Sequence, residues 1–314
     1  MDLVSIPANP LPDKVVSGVL KTPDGVNLRF ARWEPPPGRK GTVVVLQGRA
    51  EFIEKYFETV HDLHARGFAV ATFDWRGQGL SDRLLADRRK GYVRSFDDYG
   101  VDLDTVMNEV VLPDCPPPIF ALAHSMGAAI LIRACREGRR WFDRAALSAP
   151  MIGLPIGTFS RIAVPFVRFM RLAGRGAAYV PAADQRATGT RTFDGNVFTS
   201  DPVRFARNLA VLEAEPRLAL GPPTIAWADS ALRVVNEFVT PGYASSIRQP
   251  ILMVAAGHDQ VVSTPAIESF GTNLLAGSHI MLAGSRHEIL QEQDQYRRQF
   301  WAAFDAFVPG TPLY

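Results

Sequence analysis

Three residues able to do acyl-transfer chemistry stand far apart in this chain, each beside a run that reads as a strand. Ser125 lies in "IFALAHSMGAAI", where an apolar strand-like run stops at His-Ser and continues as an apolar helix pattern. A tight strand-to-helix turn there would push the hydroxyl forward as a nucleophile; the alternative is an ordinary buried turn. The positions two before and two after such a serine must be small, because the turn brings their backbones together. Gly127 meets that need, whereas Ala123 puts a methyl group where glycine is usual, so A-x-S-x-G alone is a weak signal.

A serine hydroxyl needs a base to take its proton. Of the six histidines, His61 and His64 fall on one helical pattern and read as solvent-side, His124 is fixed inside the turn, His258 precedes Asp259, and His279 begins a strand. His287, in "LAGSRHEILQE", falls between the last strand pattern and the last helix, at the same sheet edge as Ser125. It is the candidate base; taken alone, it would read as a surface histidine capping a helix. "HEILQ" nearly spells a zinc-protease helix, but Gln291 occupies the place of the second histidine ligand, so no metal is expected, and no other cofactor. Asp259, after the run "PILMVAAG", is the candidate acid to orient the imidazole, or else a cap for the following helix. The chain order Ser125, Asp259, His287 is the one known for serine hydrolysis on a mostly parallel sheet. A developing oxyanion needs two N–H donors. Met126, directly after the serine, offers one; the loop "VVVLQGRAEF" offers Arg49, with Gly48 permitting close approach, unless that loop is a plain β–α turn.

Positioning these groups requires strands that deliver their carboxyl ends to one rim. "VVSGVLKTPDGVNLRFARW" reads as an antiparallel hairpin turning at Pro23-Asp24-Gly25. "GTVVVLQG", "FAVATFD", "PIFALAH", "AALSAP", "PILMVAAG" and "HIMLAGS" then recur as short apolar runs. Helical patterns separate several of them, the first over "FIEKYFETVHDLHARG" with Phe52, Tyr56, Val60 and Leu63 in phase. This alternation predicts an α/β fold with a mostly parallel sheet covered on both faces. It fails between residues 151 and 239, a Pro- and Arg-rich, mostly helical stretch. The expected organisation is therefore a core of residues 1–150 and 240–314 with a helical cap, 151–239, over the carboxyl edge where ligands bind.

At 314 residues, 47% hydrophobic and 21% charged, the chain can bury a large core and is not disordered. The net charge of +2 conceals a local excess: from Met151 to Arg191, six arginines (161, 168, 171, 175, 186, 191) meet one acid, Asp184. That excess reads either as a face for something anionic or as a solvated basic surface. Basic residues are not interleaved into a nucleic-acid-binding module, so no nucleic-acid partner is expected. Cys115 and Cys135 match no metal spacing and read as reduced, buried thiols in a reducing compartment. The opening "MDLVSIPANPLPDK" lacks the apolar stretch of a secretory signal, and no window approaches the roughly 18 apolar residues of a membrane span. The expected location is cytoplasmic, with room for peripheral contact on the inner face of the membrane.

"VVVLQGRAEFIEKYFETVHDLHARGFAVATFDWRGQGLSDR", together with "AHSMG", "AAGHDQVV" and "SRHEIL", resembles the monoacylglycerol lipase and bacterial lysophospholipase branch of the α/β-hydrolases over nearly the whole chain. The resemblance implies the α/β-hydrolase fold, a triad of Ser125, Asp259 and His287, and oxyanion donors at Arg49 and Met126. It also implies a structural role for Asp74, Arg76 and Gly77. Two departures stand out: Gln47-Gly48 replaces the family's common His-Gly, and Arg49 is bulkier than the residue of monoacylglycerol lipases, which favours a charged head group over a neutral one.

In the cap, Phe166, Val167, Phe169, Met170 and Ala173 are expected on one helical face and Arg168, Arg171 and Arg175 on the other. Such a helix either packs its apolar stripe inward or lies in an anionic lipid interface. The expected substrate contacts are Phe166, Phe169 and Met170 along an acyl chain and Arg168 and Arg171 at a phosphate. The function this predicts is hydrolysis of the acyl ester of a lysophospholipid or monoacylglycerol, on a small-molecule lipid partner, through an acyl-enzyme. A general esterase or thioesterase, and a non-catalytic lipid-binding relative, are the other readings.

Overall fold

The protein is described by a computed structural model covering residues 2–35, 38–155, 160–181 and 192–310. Eight strands among these residues form one sheet: β1 (Val15–Lys21), β2 (Asn27–Trp33), β3 (Thr42–Leu46), β4 (Ala69–Phe73), β5 (Ile119–His124), β6 (Arg144–Ser148), β7 (Ile251–Ala256) and β8 (Gly277–Leu282). Their order is β1-β2-β4-β3-β5-β6-β7-β8. β1 pairs with β2 and β2 with β4 antiparallel, and every pairing from β4 to β8 is parallel. The hairpin turns where its sequence asks: Gly25 takes φ +91°, and Thr22 and Val26 close the loop.

Helices fill the connections. α1 (Phe57–Ala65) follows β3; α2 (Phe96–Val106) and the short α3 (Leu112–Asp114) follow β4; α4 (Met126–Arg136) follows β5. α5 (Ser160–Met170), α6 (Pro202–Ala214) and α7 (Ile225–Phe238) lie between β6 and β7; α8 (Thr264–Thr272) follows β7 and α9 (Asp294–Phe307) follows β8. Every residue of β3, β4, β5 and β7 is buried, which is why these segments carry continuous rather than alternating apolar runs. β8, at the sheet edge, is mostly exposed along its first five residues.

Two local readings are corrected. The first helical pattern does not run evenly from Phe52: Ile53–Tyr56 is a 3₁₀ turn, and the α-helix starts at Phe57. Tertiary bonds explain the tight start, since the Ile53 N–H donates to Asp74 at 3.0 Å and Glu54 holds Arg29 through two hydrogen bonds of 2.7 and 2.8 Å. α2 was not expected, yet it carries its own start signal. Ser95 and Asp98 form a capping box, and Phe96, Tyr99, Leu103 and Val106 are buried at helical spacing.

Between β6 and β7 the described residues add no strand to the sheet, and this long helical stretch bonds to the loops after β3 and β8. Its segment 196–200 is fastened to the loop after β8: Glu288 N–H donates to Phe198 O at 2.8 Å, and Arg286 donates to the carbonyls of Asn196 and Thr199. No helix among the described residues is long and apolar enough to cross a membrane. Both cysteines are free thiols, Cys115 buried and Cys135 half-buried.

Candidate active site

β5 ends at His124 and α4 begins at Met126, leaving Ser125 alone to make the turn. It does so at φ +49°, ψ −112°, a conformation a side chain rarely adopts and one that stores roughly 1–3 kcal/mol of strain. Backbone bonds hold it there: Ser125 N–H donates to Ser148 O at 3.1 Å, and its carbonyl accepts from Ala129 and Met151. Gly127 explains the need for a small residue two places on. A Cβ at that position would collide with the carbonyls of Leu46 and Gln47 at the end of β3. Ala123, fully buried in β5, carries its methyl group where the usual glycine has none, and the turn forms nonetheless.

Loops after β7 and β8 bring in the other two side chains. His287 Nε2 lies 3.0 Å from Ser125 Oγ, and its Nδ1 lies 2.8 Å from Asp259 Oδ2. All three residues are largely shielded from solvent: Ser125 is 7% and His287 3% exposed, and the Asp259 side chain is fully covered. Burial by itself would raise the Asp259 carboxyl. The neighbouring imidazole and two backbone N–H groups, from Val261 at 2.7 Å and Val262 at 3.0 Å, outweigh it and hold the group below its usual value. A carboxylate fixed in this way keeps Nδ1 protonated and leaves Nε2 free to accept the serine proton.

The loop after β3 packs against the serine turn. Gly48 presses against the turn, so that a Cβ on it would stand 3.3 Å from Ser125 Cβ and 2.9 Å from the His124 ring. Within this loop the Gly48 N–H is taken by Glu51 Oε2 and the Ala50 N–H by Gln78 Oε1. The amides of Arg49 and Met126 enter none of the turn and loop bonds, which leaves both available to an oxyanion next to Ser125.

A buried polar cluster beneath the site has no counterpart in the sequence reading. Lys55 Nζ sits 2.9 Å from Glu51 and 2.6 Å from Glu288, while Glu51 also accepts from Tyr56 Oη at 2.6 Å. Lys55 therefore ties the loop after β3 to the residue next to His287. Burial would raise the Glu51 carboxyl, but Lys55, His124 and the Tyr56 hydroxyl hold it at about 2. His124 lies between these groups: its ring centroid is 4.8 Å from that of His287, and its Nδ1–H donates to Ser148 O at 3.0 Å. Burial pushes it down to about 4, so it stays neutral beside His287. The i,i+4 spacing of Glu51 and Lys55 was the available signal for the cluster; its link to Glu288 has none.

"DWRGQGLS" is a strut behind the site. Asp74 pairs with the fully buried Arg29 at 2.7 Å and accepts from Leu80 N–H at 2.8 Å. Arg76 pairs with Asp102 at 2.7 Å and Asp24 at 2.6 Å. Gly77 takes φ +79° and Gly79 φ +56°, and a Cβ on Gly79 would overlap the Asp74 carboxylate.

The α5 residues are not arranged as expected. Val167 is the buried one, against α7, whereas Phe166 is 43% and Phe169 66% exposed, and Met170 is half-buried. The packed face thus runs through Ala163, Val167, Met170 and Arg171, and most of the apolar stripe looks outward. Arg171 is not open to an anion, because Asp229 binds it at 2.6 Å and it donates to Arg94 O. Arg168 and Arg175 are exposed. Arg186, Arg191, Asp184 and the side chain of Arg161 lie outside the described residues. Among the described residues no cluster of histidine, cysteine or carboxylate side chains has the arrangement of a metal site.

An eight-stranded, mostly parallel sheet with a serine at a strained strand-to-helix turn, a histidine and an acid on later strand-end loops defines an α/β-hydrolase. The chain belongs to the hydrolase family described as "Serine aminopeptidase, S33", whose profile matches residues 37–294. It is 32% identical over 286 residues to the Escherichia coli (strain K12) protein named lysophospholipase L2, covering 87% of this chain and 82% of that one. It is 31% identical over 131 residues to mouse (Mus musculus) monoglyceride lipase, 41% of each chain. The crystal structure of a soluble variant of monoglyceride lipase from Saccharomyces cerevisiae, in complex with a substrate analog, superposes with a TM-score of 0.73 at 18% identity. That superposition covers 96% of this chain and 98% of the other.

Proposed function

We propose that this α/β-hydrolase cleaves the acyl ester of single-chain glycerolipids through a covalent acyl-enzyme. The observation that carries the reading is the continuous bond path from Asp259 through His287 to Ser125, at 2.8 and 3.0 Å. Ser125 Oγ attacks the ester carbonyl carbon while His287 Nε2 takes its proton. The carbonyl oxygen becomes an oxyanion facing the Arg49 and Met126 amides. Collapse breaks the ester C–O bond, His287 returns the proton to the departing glycerol oxygen, and the acyl group stays on Ser125. Water, deprotonated by His287, then releases the fatty acid. The names of the relatives, a lysophospholipase and a monoglyceride lipase, favour a lipid over a small soluble ester.

In this reading residues 151–239 form a cap over the rim, and its outer surface meets the membrane that holds the lipid. Val164, Phe166, Phe169 and Leu172 are 36%, 43%, 66% and 79% exposed, with Arg168 exposed among them. Exposed apolar side chains beside an exposed arginine suit the headgroup boundary of an anionic bilayer.

The test compares the wild type with Ser125→Ala on lysophospholipids, monoacylglycerols and p-nitrophenyl esters of increasing chain length. The variant is expected to lose turnover by about 10⁴-fold or more. Equal turnover by the variant would remove Ser125 from the chemistry, and a preference for acetyl over long acyl esters would remove the lipid. Phe169→Asp is expected to weaken sedimentation with phosphatidylglycerol vesicles; unchanged sedimentation would remove the membrane contact.

A further inference from the structure

The oxyanion loop carries a cation that the reaction as written does not use. The Arg49 amide enters no turn or loop bond, while its Nη2 donates to Gly221 O at 2.7 Å and its guanidinium lies 5.1 Å from the centre of the Trp227 ring. No carboxylate among the described residues pairs with it, and its buried Nε has no hydrogen-bond partner. Burial lowers it to about 10, with only the hydroxyls of Tyr99 and Tyr179 acting against that fall.

Arg49 is half-buried and reaches a single carbonyl, whereas Arg83, also half-buried and without a carboxylate among the described residues, donates to the carbonyls of Gly77, Gly79 and Arg217. The arginines buried in the core are paired with acids. Arg29 has Glu54 and Asp74, Arg76 has Asp24 and Asp102, and Arg297 has Asp62. A desolvated cation without a counter-charge is costly to keep, and one carbonyl and one aromatic face offset only part of that cost. Methionine or leucine would fill the same space more cheaply. A ligand that brings the missing negative charge supplies the compensation.

Distance restricts which ligand this is. The guanidinium cannot be farther from the Arg49 α-carbon than one extended side chain, roughly 7 Å. In a lysophospholipid the phosphorus is about six bonds from the ester carbonyl, a comparable span of roughly 6–8 Å. A carbonyl oxygen on the Arg49 amide and a phosphate on the Arg49 side chain are therefore compatible in one molecule. A monoacylglycerol offers only a hydroxyl at that place.

We propose that the Arg49 side chain receives the phosphate of an anionic glycerolipid head group, so that one residue reads both the ester and the charge beside it. This rests on the acyl-ester reading above and adds its head group: the substrate class is the lysophospholipids, with monoacylglycerols disfavoured.

Two measurements test it. In the first, kcat/KM is compared for 1-acyl-lysophosphatidylglycerol and a 1-monoacylglycerol of the same acyl chain, in the wild type, Arg49→Gln and Arg49→Lys. Hydrogen bonds to a charged group predict that Arg49→Gln lowers the anionic-to-neutral ratio by about ten- to a hundredfold, with Arg49→Lys between. Equal losses on both substrates would overturn the proposal and leave Arg49 as a brace for Gly221 and Trp227. In the second, p-nitrophenyl butyrate hydrolysis is inhibited with glycerol 3-phosphate and with inorganic phosphate. The wild type should be inhibited by glycerol 3-phosphate more strongly than Arg49→Gln is; indifference of the wild type overturns the phosphate site, and equal potency of inorganic phosphate overturns the head-group assignment. Because this arm needs only a soluble ester, turnover of that ester without turnover of either lipid would defeat the lipid reading while the phosphate site is still judged.

Discussion

Lys55 lies outside the Ser–His–Asp path, yet its removal should damage both stability and turnover. In Lys55→Met, Glu51 and Glu288 lose the cation that now sits 2.9 and 2.6 Å from them, with side-chain exposures of only 4% and 14%. Taking one partner from a buried ion pair costs about 3–5 kcal/mol. The electrostatics agree in direction: burial would raise the Glu51 carboxyl, and Lys55 leads the groups, with His124 and Tyr56, that hold it below its ordinary value. The sign with pH follows. Glu51 is depressed in the folded wild type, so its contribution is complete above pH 4.5 and fades as pH falls toward 2. Without Lys55, burial dominates and raises the folded carboxyl above its unfolded value. Stability of the variant then falls as pH rises through the neutral range, and acidifying from pH 7 to 5 restores part of it. Turnover should drop by about ten- to a hundredfold, because the oxyanion loop and the His287 loop are no longer tied at a fixed distance. Urea unfolding followed by tryptophan fluorescence at pH 7 and pH 5, with ester hydrolysis alongside, measures all of this. A loss under about 1 kcal/mol, well below the ion-pair cost, or a variant whose stability follows the same pH course as the wild type, would refute the reasoning.

Further outcomes follow from the same geometry. Asp259→Asn keeps the fold but presents the wrong tautomer of His287, so kcat should fall by about 10⁴-fold with little change in KM; a loss confined to KM would contradict the orienting role. Gly79→Ala forces a methyl group into the Asp74 carboxylate at φ +56° and should cost about 3 kcal/mol or more in thermal unfolding. Ala123→Gly should retain activity and lose about 0.5–1 kcal/mol in unfolding, because the turn already tolerates the methyl group and glycine only loosens the strand; a large gain in kcat would show that the methyl group distorts the turn.

Much of the site was legible because its parts are local. Ser125, Asp259 and His287 each sit one short loop after an apolar strand, and a parallel sheet sends all such loops to one rim. Gly127 and Gly48 announced close backbone contacts, and the collisions a Cβ would make at both confirm why no side chain fits. Arg29 gave no sign: it lies in an ordinary strand pattern, and only the folded chain surrounds it with Glu54 and Asp74, 25 and 45 residues away. Glu288 was hidden in the same way, its partner Lys55 being 233 residues distant.

α5 shows what sequence reasoning had to leave open, since its apolar stripe could pack inward or face a lipid interface. Its periodicity gives a helix, but the packed face takes Val167 and Met170 together with Arg171, and the outward face takes Phe166 and Phe169 together with Arg168, so neither expected stripe stays whole. Packing against α7 selected Val167 and Arg171 for the inside, since Asp229 could neutralise Arg171, and left Phe166 and Phe169 outside. The amino-acid sequence by itself determined the strand–helix alternation, the small residues at the serine turn and the chemical types and order of the three candidate groups, because each depends on neighbours in the chain. Tertiary structure alone decided which charges are paired, which apolar face meets water, and that Arg49 is left half-buried without a carboxylate among the described residues. Those properties depend on what lies across space, and distance in space is not written in distance along the chain.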